Sequence, residues 1–138
     1  FGFCFFCCRL AHLIMSSPQA ITEAFIQHFY PCFDSQNWGT LANLYTNDSM
    51  LSFEGQEFKG KEAIIGKLRS LPATQHKPTT KDAQPTPGGG LVVFVSGDLT
   101  IDNGNPIKFA QVFTLFPVQN NPSQLMIIND MFRLNYGQ

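Results

Sequence analysis

The stretch that decides the fold is LMIINDMFRL, residues 125–134. It is rich in β-branched and large apolar residues, so it reads as a strand, with side chains alternating between two faces. One parity carries Leu125, Ile127, Asn129 and Met131; the other carries Met126, Ile128, Asp130, Phe132 and Leu134. Both are largely apolar, so both faces of the sheet need cover. Helices of the same chain can cover one. The second face needs either another subunit or loops that close a sandwich.

Two further strands precede it, LVVFVSGDLTI (91–101) and KFAQVFTLFPV (108–118), and the last strand runs on to Tyr136. Asp102-Asn103-Gly104-Asn105-Pro106 makes a hairpin turn between the first two. Gly88-Gly89-Gly90 makes a loop before them, and the polar, proline-bearing run ahead of it reads as an exposed edge strand. The C-terminal half is therefore a long antiparallel meander.

The N-terminal half is helical around one small hairpin. Ser17-Pro18 starts a helix, with a capping hydroxyl before the residue suited to the first turn. Ile21, Phe25, Phe29 and Phe33 then recur at helical spacing, with a bend expected near Pro31. A second helix is predicted over 38–45, a turn at 46–49, and a hairpin of strands 50–54 and 57–59 turning at Gly55-Gln56. A third helix is predicted over 61–71, stopped by Pro72. The class is α+β: a strongly curved antiparallel sheet wrapped around a long N-terminal helix, with two shorter helices.

The chain has 138 residues, enough for one domain with a core. At 43% hydrophobic and 14% charged it should fold. Nine basic residues against ten acidic ones, without a basic cluster, leave no phosphate-tracking surface, so nucleic acid is not an expected partner. No apolar run reaches the roughly 20 residues of a membrane helix. Residues 1–14 (FGFCFFCCRLAHLI) differ in texture from the rest and read as an upstream or non-native extension, leaving 15–138 as the domain. Cys4, Cys7, Cys8 and His12 are metal-ligand types, but adjacent Cys7 and Cys8 suit a tetrahedral site poorly. Cys32 is the one cysteine outside that extension, so no disulfide framework is expected and the chain reads as intracellular.

No glycine-rich phosphate loop or nucleophile elbow is present, and neither a metal site nor a cofactor is expected. Asp130 and His76 form a conceivable acid/base pair in an internal cavity; alternatively, Asp130 is a hydrogen-bonded buried carboxylate. Glu54 and Asp102 both stand where a strand gives way to a turn. If those turns share a rim, two carboxylates flank an opening lined by Phe53, Leu71 and Phe132. Such an opening suits a partner that presents an aromatic between basic residues.

FIQHFYPCFD (25–34), FEGQEFKGKEAI (53–64), KLRSLP (67–72), DAQPTP (82–87) and NDMFRL (129–134) together resemble the nuclear transport factor 2 family over residues 18–136. The resemblance implies a cone-shaped fold without catalysis. It implies a homodimeric carrier that binds the GDP form of the GTPase Ran and phenylalanine-glycine repeats of nucleoporins, shared between cytoplasm and nucleus and enriched at the nuclear pore. It places Phe53, Glu54, Leu71, Asp102, Asn105 and Phe132 at the Ran site. Asn105 stands where the family has a second rim aspartate. It places Asp34 beside the nucleoporin groove, where Pro18 replaces an aromatic, and Phe94 and Met131 at the dimer interface. Two rival readings are an enzyme using the cavity through Asp130 and His76, and an adaptor that binds only nucleoporin repeats.

Overall fold

The computed structural model describes residues 17–118 and 121–136; the extension at 1–14 lies outside the described residues. Helix α1 (Pro18–Asp34) is capped by Ser17, whose hydroxyl accepts from the Ala20 amide at 3.2 Å. Pro31 lies inside α1 without ending it. The apolar stripe is buried as its spacing predicts: Phe25 and Phe29 each meet Phe113 edge-on at 4.9 Å between ring centroids. Such pairs add about 0.5–1.5 kcal/mol beyond their area burial.

Helix α2 (Trp38–Ala42) is shorter than its sequence pattern, because Tyr45 already opens strand β1 (Tyr45–Phe53). The expected turn at 46–49 is an interruption within that strand. The Ser49 hydroxyl accepts from the Thr46 amide at 2.7 Å and donates to the Ile127 carbonyl at 2.5 Å. These local bonds shift the ladder between Tyr45 and Met50 without reversing the chain.

Strand β2 (Gln56–Lys59) begins one residue earlier than expected, so the hairpin turns at Glu54-Gly55. Glu54 has φ 51° and Gly55 φ 86°. A two-residue hairpin loop of this hand needs positive φ at both central residues, which Gly55 meets without strain and Glu54 does not. Helix α3 (Lys61–Arg69) follows and ends two residues before the predicted stop.

The meander is as read: β3 (Thr74–Thr86), β4 (Gly90–Ile101), β5 (Ile107–Val118) and β6 (Asn121–Asn135). The sheet order is β2-β1-β6-β5-β4-β3, with β1 parallel to β6 and every other pair antiparallel. The result is a curved, unclosed six-stranded sheet around α1. Gly97 in β4 permits close packing of the edge strand, since a Cβ there would lie 2.1 Å from the Lys77 carbonyl oxygen.

One irregularity positions the site. The β5–β6 register slips between Thr114 and Leu115, which lets Ile128 bulge. Strict alternation therefore fails in β6. Leu125 and Ile127 are buried on one side of the bulge, Asp130 and Phe132 on the other. Among the described residues, no helix is long and apolar enough to cross a membrane.

Candidate functional site

Between α1, α3 and the concave face of the sheet lies a cavity of about 110 Å³. Its walls are apolar, including Phe33, Leu51, Leu68, Leu99 and Ile101. Phe53, Leu71 and Phe132, three of the residues expected at the site, line it too. Phe53 stacks on Phe132 with centroids 4.8 Å apart and planes 8° apart, and Phe132 stacks in turn on Phe109 at 5.9 Å. Lys67 of α3 holds its ammonium 5.3 Å from the Phe53 ring centroid, a cation–π contact.

The two acids expected at the rim stand on separate turns, each one residue past a wall residue; neither lines the cavity itself, and Asp102 lines a separate polar groove with Asp34 and Ala73. Glu54 follows Phe53 directly. Its amide donates to the Phe132 carbonyl at 3.1 Å, and its carboxylate accepts from the Leu134 amide. The β1–β2 turn is thereby anchored to β6, and the carboxylate is held beside the mouth. Asp102 follows Ile101, another wall residue; its amide donates to the Ala73 carbonyl at 2.9 Å. Asp102 has φ 49°. Both acids thus occupy the left-handed region, where a non-glycine residue costs on the order of 1 kcal/mol. Asn105 is exposed in the same β4–β5 turn as Asp102 and does not line the cavity.

The inner end is polar. The Tyr45 hydroxyl donates to Asp130 Oδ2 at 2.8 Å, and Gln111 Nε2 donates to Asp130 Oδ1 at 2.7 Å. The Tyr30 hydroxyl donates to Gln111 Oε1 at 2.8 Å. Asp130 is 1% exposed and Gln111 4%. Burial pushes the Asp130 carboxyl up to about 6, against the opposing hydrogen bonds from Gln111 and Tyr45. Burial, reinforced by the Asp130 charge, also pushes both tyrosine hydroxyls well above their ordinary value.

His76 lines the cavity as well, but its Nδ1 lies 2.6 Å from Asp34 Oδ1 and its backbone amide donates to Asp34 Oδ2 at 2.8 Å. Asp34 also accepts from the Thr74 hydroxyl at 3.0 Å. The acid expected beside a nucleoporin groove therefore also ties the end of α1 to the start of β3. Asp130 and His76 line one cavity, as the enzyme reading requires, with each group bonded to a partner of its own. Among the described residues, no group of three His, Cys, Asp or Glu side chains is placed to hold a metal ion.

Tyr30, Tyr45 and Gln111 were not singled out by their sequence. The signal existed for Gln111: it shares a parity with Phe109, Phe113 and Leu115, and a polar residue on a buried parity needs a partner. On the convex face, Phe94 pairs across the strands with Val112, and Val112 with Met131. This row leaves Phe94 38% and Met131 50% exposed.

A family model for the nuclear transport factor 2 domain matches residues 21–134. Nuclear transport factor 2 of Oryza sativa subsp. japonica is 50% identical over 122 residues, covering 86% of this chain and 97% of its own. That of Saccharomyces cerevisiae is 45% identical, covering 85% and 94%. The solved nuclear transport factor 2 of Cryptosporidium parvum superposes with a TM-score of 0.78 at 42% identity, covering 86% of this chain and 94% of its own.

Proposed function

Since the chain belongs to the nuclear transport factor 2 domain family, whose members' names support a carrier role in nuclear transport, we propose that it carries Ran-GDP into the nucleus. We assign the carrier to residues 15–138 as one domain. In this reading the cavity receives an aromatic side chain of Ran, and Glu54 and Asp102 meet the basic residues beside it. The observation that supports it most is the apolar cavity itself, two of whose wall residues, Phe53 and Ile101, are each followed directly by an acid on a turn at positive φ, Glu54 and Asp102. Such a pairing of an apolar pocket with rim charge gives both anchoring and partner choice.

The carrier acts as a homodimer through the face bearing Phe94 and Met131. It binds phenylalanine-glycine repeats of nucleoporins, with Asp34 near their groove, and so concentrates at the nuclear pore while passing between cytoplasm and nucleus. We read it as a carrier without catalysis, in which Asp130 and His76 each engage a partner of their own rather than each other.

The test is capture of Ran-GDP, with Ran-GTP as control, by the wild type, Glu54→Gln and Glu54→Lys. Glutamine keeps an acceptor for the Leu134 amide while removing the charge, so it separates anchoring of the turn from recognition. Lysine brings a like charge to a basic partner. We expect Glu54→Lys to weaken Ran-GDP binding on the order of 100-fold, with Glu54→Gln in between and fold retained by circular dichroism. Wild-type affinity in the lysine variant removes Glu54 from the site. Failure of the wild type to bind Ran-GDP, with repeat binding intact, leaves the adaptor reading.

A further inference from the structure

The polar inner end of the cavity is more than an aromatic side chain needs. A phenylalanine-like ring asks only for apolar walls, yet Gln111 and Asp130 both line the cavity, each more than nine-tenths buried. Their mutual bonds leave defined capacity. The Gln111 amide carries two N–H groups, one of which serves Asp130. Each Asp130 oxygen accepts one named bond, from Tyr45 or Gln111, and a carboxylate oxygen has room for two. A group that both donates and accepts fits this pair; a hydroxyl does so with one atom.

The walls set the rest of the ligand. The cavity volume of about 110 Å³ is of the order of the roughly 150 Å³ apolar cavity that takes benzene. Phe53 and Phe132, stacked on each other, both border it. A carboxylate head group would meet the Asp130 carboxyl in a water-poor site, and a hydrocarbon would leave both polar groups facing a bare ring.

We propose that the inner end of this cavity is a small-molecule site for monocyclic phenols, with the ring between the apolar walls and the hydroxyl bridging Gln111 and Asp130. This holds whether or not the cavity also receives a protein's aromatic. If it does, the phenol competes for the same space.

Fluorine NMR on the isolated full chain tests it with 4-fluorophenol, fluorobenzene and 4-fluorobenzoate, the protein being otherwise unmodified. At neutral pH we expect 4-fluorophenol to bind at least about tenfold more tightly than fluorobenzene, as a hydrogen bond to a charged group allows, and 4-fluorobenzoate not to bind. A second arm uses Leu71→Trp, which fills the mouth from a partly exposed loop position and should abolish phenol binding while the fold persists. Equal binding of the phenol and the fluorobenzene would overturn the hydroxyl-reading pair. Undiminished phenol binding in Leu71→Trp would overturn the location. Loss of Ran-GDP capture alone touches neither result.

Discussion

Replacing Met131 by glutamate is expected to turn the proposed homodimer into a monomer. Phe94, Val112 and Met131 form one row across β4, β5 and β6 on the convex face. Among the described residues, Phe94 and Met131 stand among the few large apolar side chains left exposed, at 38% and 50%. All three helices of the described chain lie on the concave side, where the core is. A twofold axis through this row would cover it with its own copy, so a single substitution acts twice. Each carboxylate buried without a partner costs several kcal/mol, which rivals the whole stability of a small domain. The isolated subunit should tolerate the change, because Met131 is half exposed there. The melting temperature should nevertheless fall and lose its dependence on protein concentration, since association no longer supports the folded state. Sedimentation at micromolar concentration decides the matter. A variant that still sediments as a tight dimer would mean that something else covers this face.

Much of this was legible because periodicity speaks for elements buried on one side. The spacing of Ile21, Phe25, Phe29 and Phe33 announced α1, and the DNGNP turn announced the β4–β5 hairpin. What was not legible has a common cause: it depends on which distant strands become neighbours. Nothing local tells β1 to pair in parallel with β6, yet that pairing brings Tyr45 to Asp130. The bulge at Ile128 likewise arises from pairing, and it transfers burial from Ile127 to Asp130, mixing the two parities read from LMIINDMFRL. The one-residue shift of the Glu54-Gly55 turn has a different origin. Glycine attracted the turn in the sequence, but the twist of a two-residue hairpin demands positive φ at the preceding residue too. The mouth of the cavity was readable from Phe53, Leu71, Phe132 and the two acids. Of its polar inner end only Asp130 was readable, as a buried, hydrogen-bonded carboxylate; its partners were not, because four side chains from α1, β1, β5 and β6 make the network together.

That polar end carries the second large effect, on stability against pH. The Asp130 carboxyl stands at about 6 in the folded protein against an ordinary value of 3.8, with burial as the main cause. Well below the lower value both folded and unfolded chains hold this proton, and the group is neutral to stability. Between the two values the unfolded chain releases the proton while the folded chain keeps it, so stability falls as pH rises through that window. Above about 6 the full penalty is present, about 3 kcal/mol at 1.36 kcal/mol per pH unit. Asparagine at 130 cannot ionise, and it can rejoin the network if the Gln111 amide turns over, leaving Tyr45 to donate to the new carbonyl and Tyr30 to accept. The groups facing Asp130 from α1 and β1, Tyr30 and Tyr45, stay neutral throughout, their hydroxyls pushed far above this range. His28, which burial pushes down, destabilises the fold on the acid side in both proteins and cancels in the difference. We therefore expect Asp130→Asn to gain on the wild type by about 3 kcal/mol between pH ~4 and ~6, and by nothing further above that. Urea unfolding of both proteins across the window measures it. Parallel stability curves would mean that Asp130 is ionised in the fold at no cost, and that the cavity is wetter than its apolar walls imply.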